Sequence, residues 1–459
     1  MKKRFVNSSR VAPAGRSSKN TRGNKYSQPM RPVRMFNIEG LTHQCKGVAR
    51  ADDGKVTFIE GALPKETVSA QVVKSNRRFD EAKLIDIEQP SPDRVTPPCI
   101  HYDSCGGCSF QHLSVEQQRA SKKQWLQGQL RKVCEPDDLI LLADSPLAYR
   151  RRARLSVRVI DGKLLLGFRG HASNKIVSID NCVVLTPKLQ LAFAALKTAL
   201  FQDKELSQIS GKLGHIELLE DDSGVSVLFR LTAILDTEVQ EKWLNWSLQH
   251  HLELYWQQAG QDRAVVAPTS LRHYHIEELM LSYHPQDFIQ VNAQMNAKMV
   301  AQAMAWLDPN KDDVILDLFC GVGNFSLPLA KRAKQVVGVE VQASMVAAGT
   351  NNAKANGLDN LSFIAADLTQ ATNKDIGSLG VTKILLDPPR AGAFEFLPSI
   401  VKLKPKSILY VSCDAATLAR DAEYLLDKGY RVKCGAMMDM FPQTAHLETI
   451  LLFSRKIGK

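Results

Sequence analysis

No apolar run in this chain of 459 residues approaches the ~18 residues that a membrane-spanning helix requires. That excludes a helical membrane protein. The first 34 residues also lack the apolar segment of an export signal, so Sec-type secretion is not expected. Cysteine is sparse: nine in all, with Cys99, Cys105 and Cys108 bunched on one stretch. A secreted disulfide scaffold spreads more cysteines over fewer residues. In a reducing cytosol, bunched thiols more often bind metal or do chemistry. A soluble, cytoplasmic protein is expected, with no membrane partner and no obligate protein partner.

Acid is missing locally. Residues 1–34 hold ten Lys and Arg and no Asp or Glu, leaving 49 basic against 48 acidic residues in the remainder. The net charge of +11 therefore belongs to a tail. Rich in Ser, Asn, Pro and Gly, residues 1–33 are expected to be disordered and to favour polyanions without sequence preference. Pro13, Gly15, Gly23 and Pro29 interrupt any amphipathic helix, which argues against a mitochondrial presequence.

The rest is too long for one ordinary domain. In residues 34–92, alternating stretches at 56–59, 68–73 and 83–87 follow turn signals, predicting a small OB-like β barrel with Lys74, Arg77 and Arg78 on a loop. Residues 93–285 read as a central α+β domain: the cysteine loop, a polar helix over 115–133, then strands. The run Tyr149-Arg150-Arg151-Arg152-Ala153-Arg154 suits either nucleic-acid contact or a strand edge guarded by charge. From residue 286 to 459 short apolar strands alternate with helices. That is an α/β pattern: a Rossmann-like, doubly wound parallel sheet closed by an edge hairpin.

Within that last domain, Asp317-Leu318-Phe319-Cys320-Gly321-Val322-Gly323 places an acid at a strand end and two glycines in the following turn. Glu340 ends the next strand, 23 residues on. Ligands of such sheets sit at the carboxyl ends of the strands. Ser326 stands where a dinucleotide fingerprint has its third glycine, and Asp317 would repel a phosphate. A cationic, phosphate-free cofactor such as S-adenosyl-L-methionine suits the site better, with Asp367 placed to meet its adenine.

Asp387-Pro388-Pro389-Arg390 ends the fourth strand, and Cys413 in Tyr410-Val411-Ser412-Cys413-Asp414 ends the fifth. A helix beginning near Ala415 is expected to lower the thiol's pKa. Cys320 reads as a packing residue. The chemistry needs a thiolate because carbon 5 of a pyrimidine is too weak a nucleophile to attack a sulfonium methyl. Adding sulfur to carbon 6 makes an enolate whose carbon 5 can attack. A base must then remove the carbon 5 proton. Glu448, in Gln443-Thr444-Ala445-His446-Leu447-Glu448-Thr449, is the candidate base, with His446 on the same strand face to tune it. The candidate nucleophile follows Ser412 rather than proline, unlike the usual DNA cytosine methyltransferase arrangement.

Asp-Leu-Phe-Cys-Gly-Val-Gly-Asn-Phe, Asp-Pro-Pro-Arg-Ala-Gly, Tyr-Val-Ser-Cys-Asp and His-Leu-Glu-Thr together resemble the RNA uracil-C5 methyltransferase family over residues 35–459. The resemblance implies that Gln290, Phe319, Asn324, Glu340, Asp367 and Asp387 line the S-adenosyl-L-methionine site. Phe288 is a candidate to stack on a flipped base. Cys99-x5-Cys105-x2-Cys108 offers three soft ligands, with Gly106 and Gly107 letting the loop close; sulfur alone suits Fe–S or tetrahedral zinc. The bacterial 23S ribosomal RNA members of the family carry a similar loop and a [4Fe–4S] cluster, which implies Cys182 as the fourth ligand. One rRNA enzyme of the family has the cluster without a barrel, and this chain resembles the type that has both cluster and TRAM barrel. The expected activity is methylation of carbon 5 of a uridine in 23S rRNA. Another rRNA uridine or a tRNA remains an alternative target.

Overall fold

A computed structural model describes residues 32–135, 139–261, 265–266, 271–367 and 380–456. The basic tail expected at 1–33 lies outside the described residues, except for residues 32 and 33.

The first unit is one six-stranded sheet in the order Val33–Asn37, Thr67–Ser75, Phe79–Gln89, Val56–Glu60, Lys46–Arg50, Gly40–Leu41. Register shifts between Thr67 and Val68, Ser69 and Ala70, and Val72 and Lys74 mark bulges in its longest pairing. Bulges bend and twist a strand, so the sheet can coil around a core of Phe36, Ile38, Ile59, Val68 and Ala70. Glu66 fastens this unit to the next. Its buried carboxylate takes Nε and Nη2 of Arg94 at 2.5 and 2.9 Å.

A seven-stranded sheet follows, ordered Ile176–Ser178, Lys163–Arg169, Arg152–Ile160, Leu213–Asp221, Gly224–Leu231, Leu252–Gln257, Val265–Val266. The helices Pro187–Gln202 and Thr237–Gln249 pack on it around Phe193, Trp243, Ile216 and Phe229.

The third sheet has eight strands: Leu361–Ala365, Gln335–Glu340, Val314–Leu318, Lys383–Leu386, Ser407–Ser412, Glu448–Arg455, Tyr430–Met438 and Leu139–Leu142. The first five run parallel, and the two after them form the antiparallel edge hairpin. The eighth differs from the expected organisation. Leu139–Leu142, from the region assigned to the central domain, pairs in parallel with Tyr430–Met438 and covers the sheet's edge. The helix Val115–Leu130, capped by Ser114, joins it: Leu126 and Leu130 sit in one core with Leu316 and Leu386. Its inward face, at four-residue spacing, is Gln118, Lys122, Leu126, Leu130. Two of those four are polar.

Candidate active site

The turn after Val314–Leu318 at the sheet's carboxyl edge is tightly constrained. Phe319 has φ +64°, a left-handed conformation uncommon for a side chain of this size. Gly323 follows at φ +101°, where an added Cβ would meet Leu327 at 2.4 Å. Glu340 ties the turn to the neighbouring strand, accepting from the Gly321 and Gln342 N–H groups at 3.2 and 3.1 Å. Asp317 is wholly buried. Its Oδ2 accepts from Ser326 Oγ at 2.5 Å, whereas Oδ1 has no partner among the described residues.

That orphan oxygen points to an absent cation or donor, because a buried polar atom is seldom left unmatched. Burial pushes the Asp317 carboxyl up to about 7, opposed by Ser326 and assisted by the charges of Asp387 and Glu340. Burial alone lifts Asp387 to about 7. Three acids at one strand edge fit a sulfonium better than a phosphate. Asn324 lies beyond the turn, locked in a reciprocal amide pair with Asn296 at 2.9 and 3.0 Å; its Oδ1 also accepts from Tyr274 Oη at 3.1 Å. Asp367 is exposed, two residues past the strand Leu361–Ala365.

Cys413 stands immediately after Ser407–Ser412, and Glu448 opens the strand paired with it. Ser412 is opposite Thr449. One step further along antiparallel strands, Cys413 faces Glu448. Both line a cavity of about 520 Å³ together with Phe288, Gln290, Arg390 and His446. Phe288 is 65% exposed, available to stack.

The thiol's electrostatics differ from expectation. Asp414, the N-cap, accepts from the N–H groups of Ala416 and Thr417, both at 3.0 Å, and so satisfies the helix terminus that was to activate Cys413. Burial pushes the Cys413 thiol up to about 11, the charge of Glu448 adds to this, and Arg390 opposes it. Glu448 is raised well above the usual carboxylate range by burial and then by Asp387, again opposed by Arg390. His446 precedes the strand rather than lying in it, and burial lowers its pKa. The neighbours that tune Glu448 are Asp387 and Arg390. The Arg390 role was missed in the sequence, although it stands in the motif Asp387-Pro388-Pro389-Arg390.

The same cavity receives Cys99, Cys105, Cys108 and Cys182. The loop docks on the central sheet where Gly106 N–H donates to the Arg169 carbonyl at 2.9 Å; a Cβ at Gly106 would lie 2.9 Å from the Gly170 oxygen. Only glycine allows that approach. Burial pushes the Cys108 thiol up to about 12, and charge on Cys182, Cys105 or Cys99 would push it further. Such a mutually repelling donor set is relieved by a cationic group. Among the described residues, no three His, Cys, Asp or Glu side chains are arranged as a metal-ion site.

The basic run is half structural. Arg151 is buried over the Tyr274 ring at 4.9 Å, with Nε donating to the Gln290 carbonyl at 2.8 Å. Arg152 pairs with Glu217 at 2.9 Å. Arg150 and Arg154 line the cavity.

An acid-rimmed glycine turn on a doubly wound sheet, beside a thiol–carboxylate pair, defines an S-adenosylmethionine-dependent methyltransferase. Residues 114–456 match the family model described as tRNA (Uracil-5-)-methyltransferase, and residues 37–85 match the TRAM domain. The chain belongs to this RNA uracil-C5 methyltransferase family. It is 58% identical over 429 residues to a Marinomonas sp. (strain MWYL1) protein named 23S rRNA (uracil(1939)-C(5))-methyltransferase RlmD, covering 94% of this chain and 96% of the relative. The Marinomonas posidonica protein of the same name is 54% identical over 95% of this chain and 98% of its own length. Among solved structures, Pyrococcus abyssi tRNA (uracil-54, C5)-methyltransferase with S-adenosyl-L-homocysteine has the same fold. The TM-score is 0.73 at 24% identity, covering 92% of this chain and 99% of that one.

Proposed function

We propose that this chain methylates carbon 5 of one uridine in 23S rRNA, uracil 1939 by the relatives' printed target, through a covalent bond from Cys413 to carbon 6. The observation that carries the mechanism is the cavity shared by Cys413, Glu448, Phe288 and Gln290. The bound cofactor supplies an electrophilic methyl group. Phe288 stacks on the unpaired base, and Arg390 offsets negative charge beside the thiol. Cys413 gives its proton to solvent and adds sulfur to carbon 6 as the 5,6 double bond opens to the enolate. Carbon 5 would then take the methyl group as the donor's sulfonium–carbon bond breaks, leaving a neutral thioether. Glu448, as carboxylate, then accepts the carbon 5 proton. The electrons of that C–H bond form the 5,6 double bond and expel the Cys413 thiolate.

In the free protein, burial and acidic neighbours hold Cys413 as a thiol. Its ionisation follows ligand binding, when the charges of Glu448 and then Asp387 beside it are offset. Asp317, Glu340 and Asp387 receive the cationic cofactor, with Gln290, Phe319, Asn324 and Asp367 completing its site. Cys99, Cys105, Cys108 and Cys182 are a soft donor set suited to a [4Fe–4S] cluster, which would hold the loop as a rigid inorganic core. The enzyme works in the cytoplasm on ribosomal RNA; no helix among the described residues is long and apolar enough to cross a membrane.

Mapping 5-methyluridine in 23S rRNA from a strain lacking this protein tests the target. Loss at one position, restored by the wild-type chain and not by Cys413→Ala, is expected. An unchanged 23S map with loss in tRNA would overturn the rRNA assignment.

A further inference from the structure

The segment joining the edge hairpin, from Asp439 to Gln443, is held by contacts far beyond what a connection needs. The Met440 carbonyl accepts from Asn292 Nδ2 at 3.3 Å, that of Phe441 from Lys122 Nζ at 3.1 Å, and that of Pro442 from Tyr149 Oη at 3.0 Å. The Gln443 carbonyl takes two N–H groups, Ser109 at 2.9 Å and Phe110 at 3.1 Å. Those two residues directly follow Cys108. Gln443 itself has φ +65°, a strained conformation for a side chain other than Gly or Asn.

A buried amide pair maintains that strain. Gln118 Nε2 donates to Gln443 Oε1 at 2.9 Å, and Gln443 N–H donates to Gln118 Oε1 at 3.2 Å. Gln118 Nε2 also reaches the carbonyls of Phe110 and Leu113 at 3.0 and 2.8 Å. Both glutamines are at most 3% exposed. One side chain thus joins the helix Val115–Leu130, the cysteine loop and the segment that leads, five residues on, to Glu448. Beyond Gln443, Thr444, His446 and Glu448 face the catalytic cavity, whereas Ala445 and Leu447 face a second cavity against the barrel. A shift of Gln443 would change that alternation and turn Glu448 away.

We propose that Gln118 and Gln443 are positioning residues for proton removal: they lock the Glu448 segment to the cysteine loop, so the integrity of that loop sets the elimination step. The inference rests on the covalent reading above. In that step the carbon 5 proton passes to the Glu448 carboxylate, the carbon 5–carbon 6 double bond forms, and the carbon 6–sulfur bond breaks. A misplaced Glu448 leaves adduct formation intact and stalls release.

The test uses the full chain, with cofactor, and RNA carrying either uridine or 5-fluorouridine at the target. Fluorine at carbon 5 cannot be removed as a proton, so it traps the adduct irrespective of Glu448. Gln118→Met, close in volume, should form the 5-fluorouridine adduct at the wild-type rate. On natural RNA it should accumulate a methylated adduct while kcat falls about tenfold or more and the KM for RNA holds. Gln443→Asn tolerates the backbone conformation but shortens the amide, and should show a smaller accumulation. Slower adduct formation on both RNAs, or lower kcat without accumulation in both variants, overturns the positioning role. A wild-type chain that never traps 5-fluorouridine RNA removes the covalent reading instead.

Discussion

The two sides of the catalytic centre are built in opposite ways. The side proposed for the cofactor is a short stretch of chain, Asp317 to Gly323, with acids from adjacent strand ends; burial drives the Asp317 and Asp387 carboxyls toward neutrality, and at Asp317 the charges of Asp387 and Glu340 add to it. The cavity proposed for the substrate gathers Arg150, Arg154, Arg390, Phe288 and the four cysteines from five separate regions. One side suits a cation, the other the polyanionic backbone that surrounds a flipped base. Cys413 and Glu448 sit at the seam, where burial raises the pKa of each and Arg390 opposes the rise.

Cys413→Ala gives the largest expected separation of the two sides. Cofactor affinity by calorimetry should stay within about threefold, while methyl transfer disappears, because the cofactor side retains its contacts. Appreciable residual turnover would break the division.

Next is the coupling across the seam. Alkylation of Cys413 in the free chain should follow a thiol ionising near 11. Binding S-adenosylmethionine should move that profile to lower pH, and neutral S-adenosylhomocysteine should move it much less. Equal shifts would show that charge is not the link. Arg390→Met should act in the other direction, moving the profile to higher pH, since Arg390 is the cation that lowers both Cys413 and Glu448.

The smallest expected effect concerns stability. Asp317 and Asp387 rise from 3.8 to about 7 on folding. A carboxyl that binds its proton more tightly when folded contributes stability below its unfolded pKa and loses it as pH rises through the folded value. The free chain should therefore lose part of its Tm between pH 4 and 7, and the Tm gain from S-adenosylmethionine should be larger at pH 8 than at pH 6. Asp317→Asn should flatten that difference.

The contrast also explains what could be read from the sequence. The cofactor turn is local, so strand, glycines and acids appear in order, and the doubly wound sheet follows from alternation. The motif around Cys413 pointed to a candidate nucleophile but not to its state, because the cap bonds by which Asp414 occupies the helix terminus appear only in the fold. Arg390 and the Gln118–Gln443 pair act across 23 to 325 residues of chain; Arg390 stands in a legible motif that does not show its partners, and no local pattern marks the glutamines. Strand Leu139–Leu142 was hidden for the same reason: its partner, Tyr430–Met438, lies about 300 residues further along the chain.

The central claim is a sulfur–carbon bond between Cys413 and the target base. Glu448→Gln, incubated with cofactor and natural RNA, should yield a protein–RNA species stable in denaturing gels. Mass analysis after digestion should find a methylated uridine on the peptide carrying Cys413. Attachment to any other residue, or freely released methylated RNA with no attached species, would contradict it.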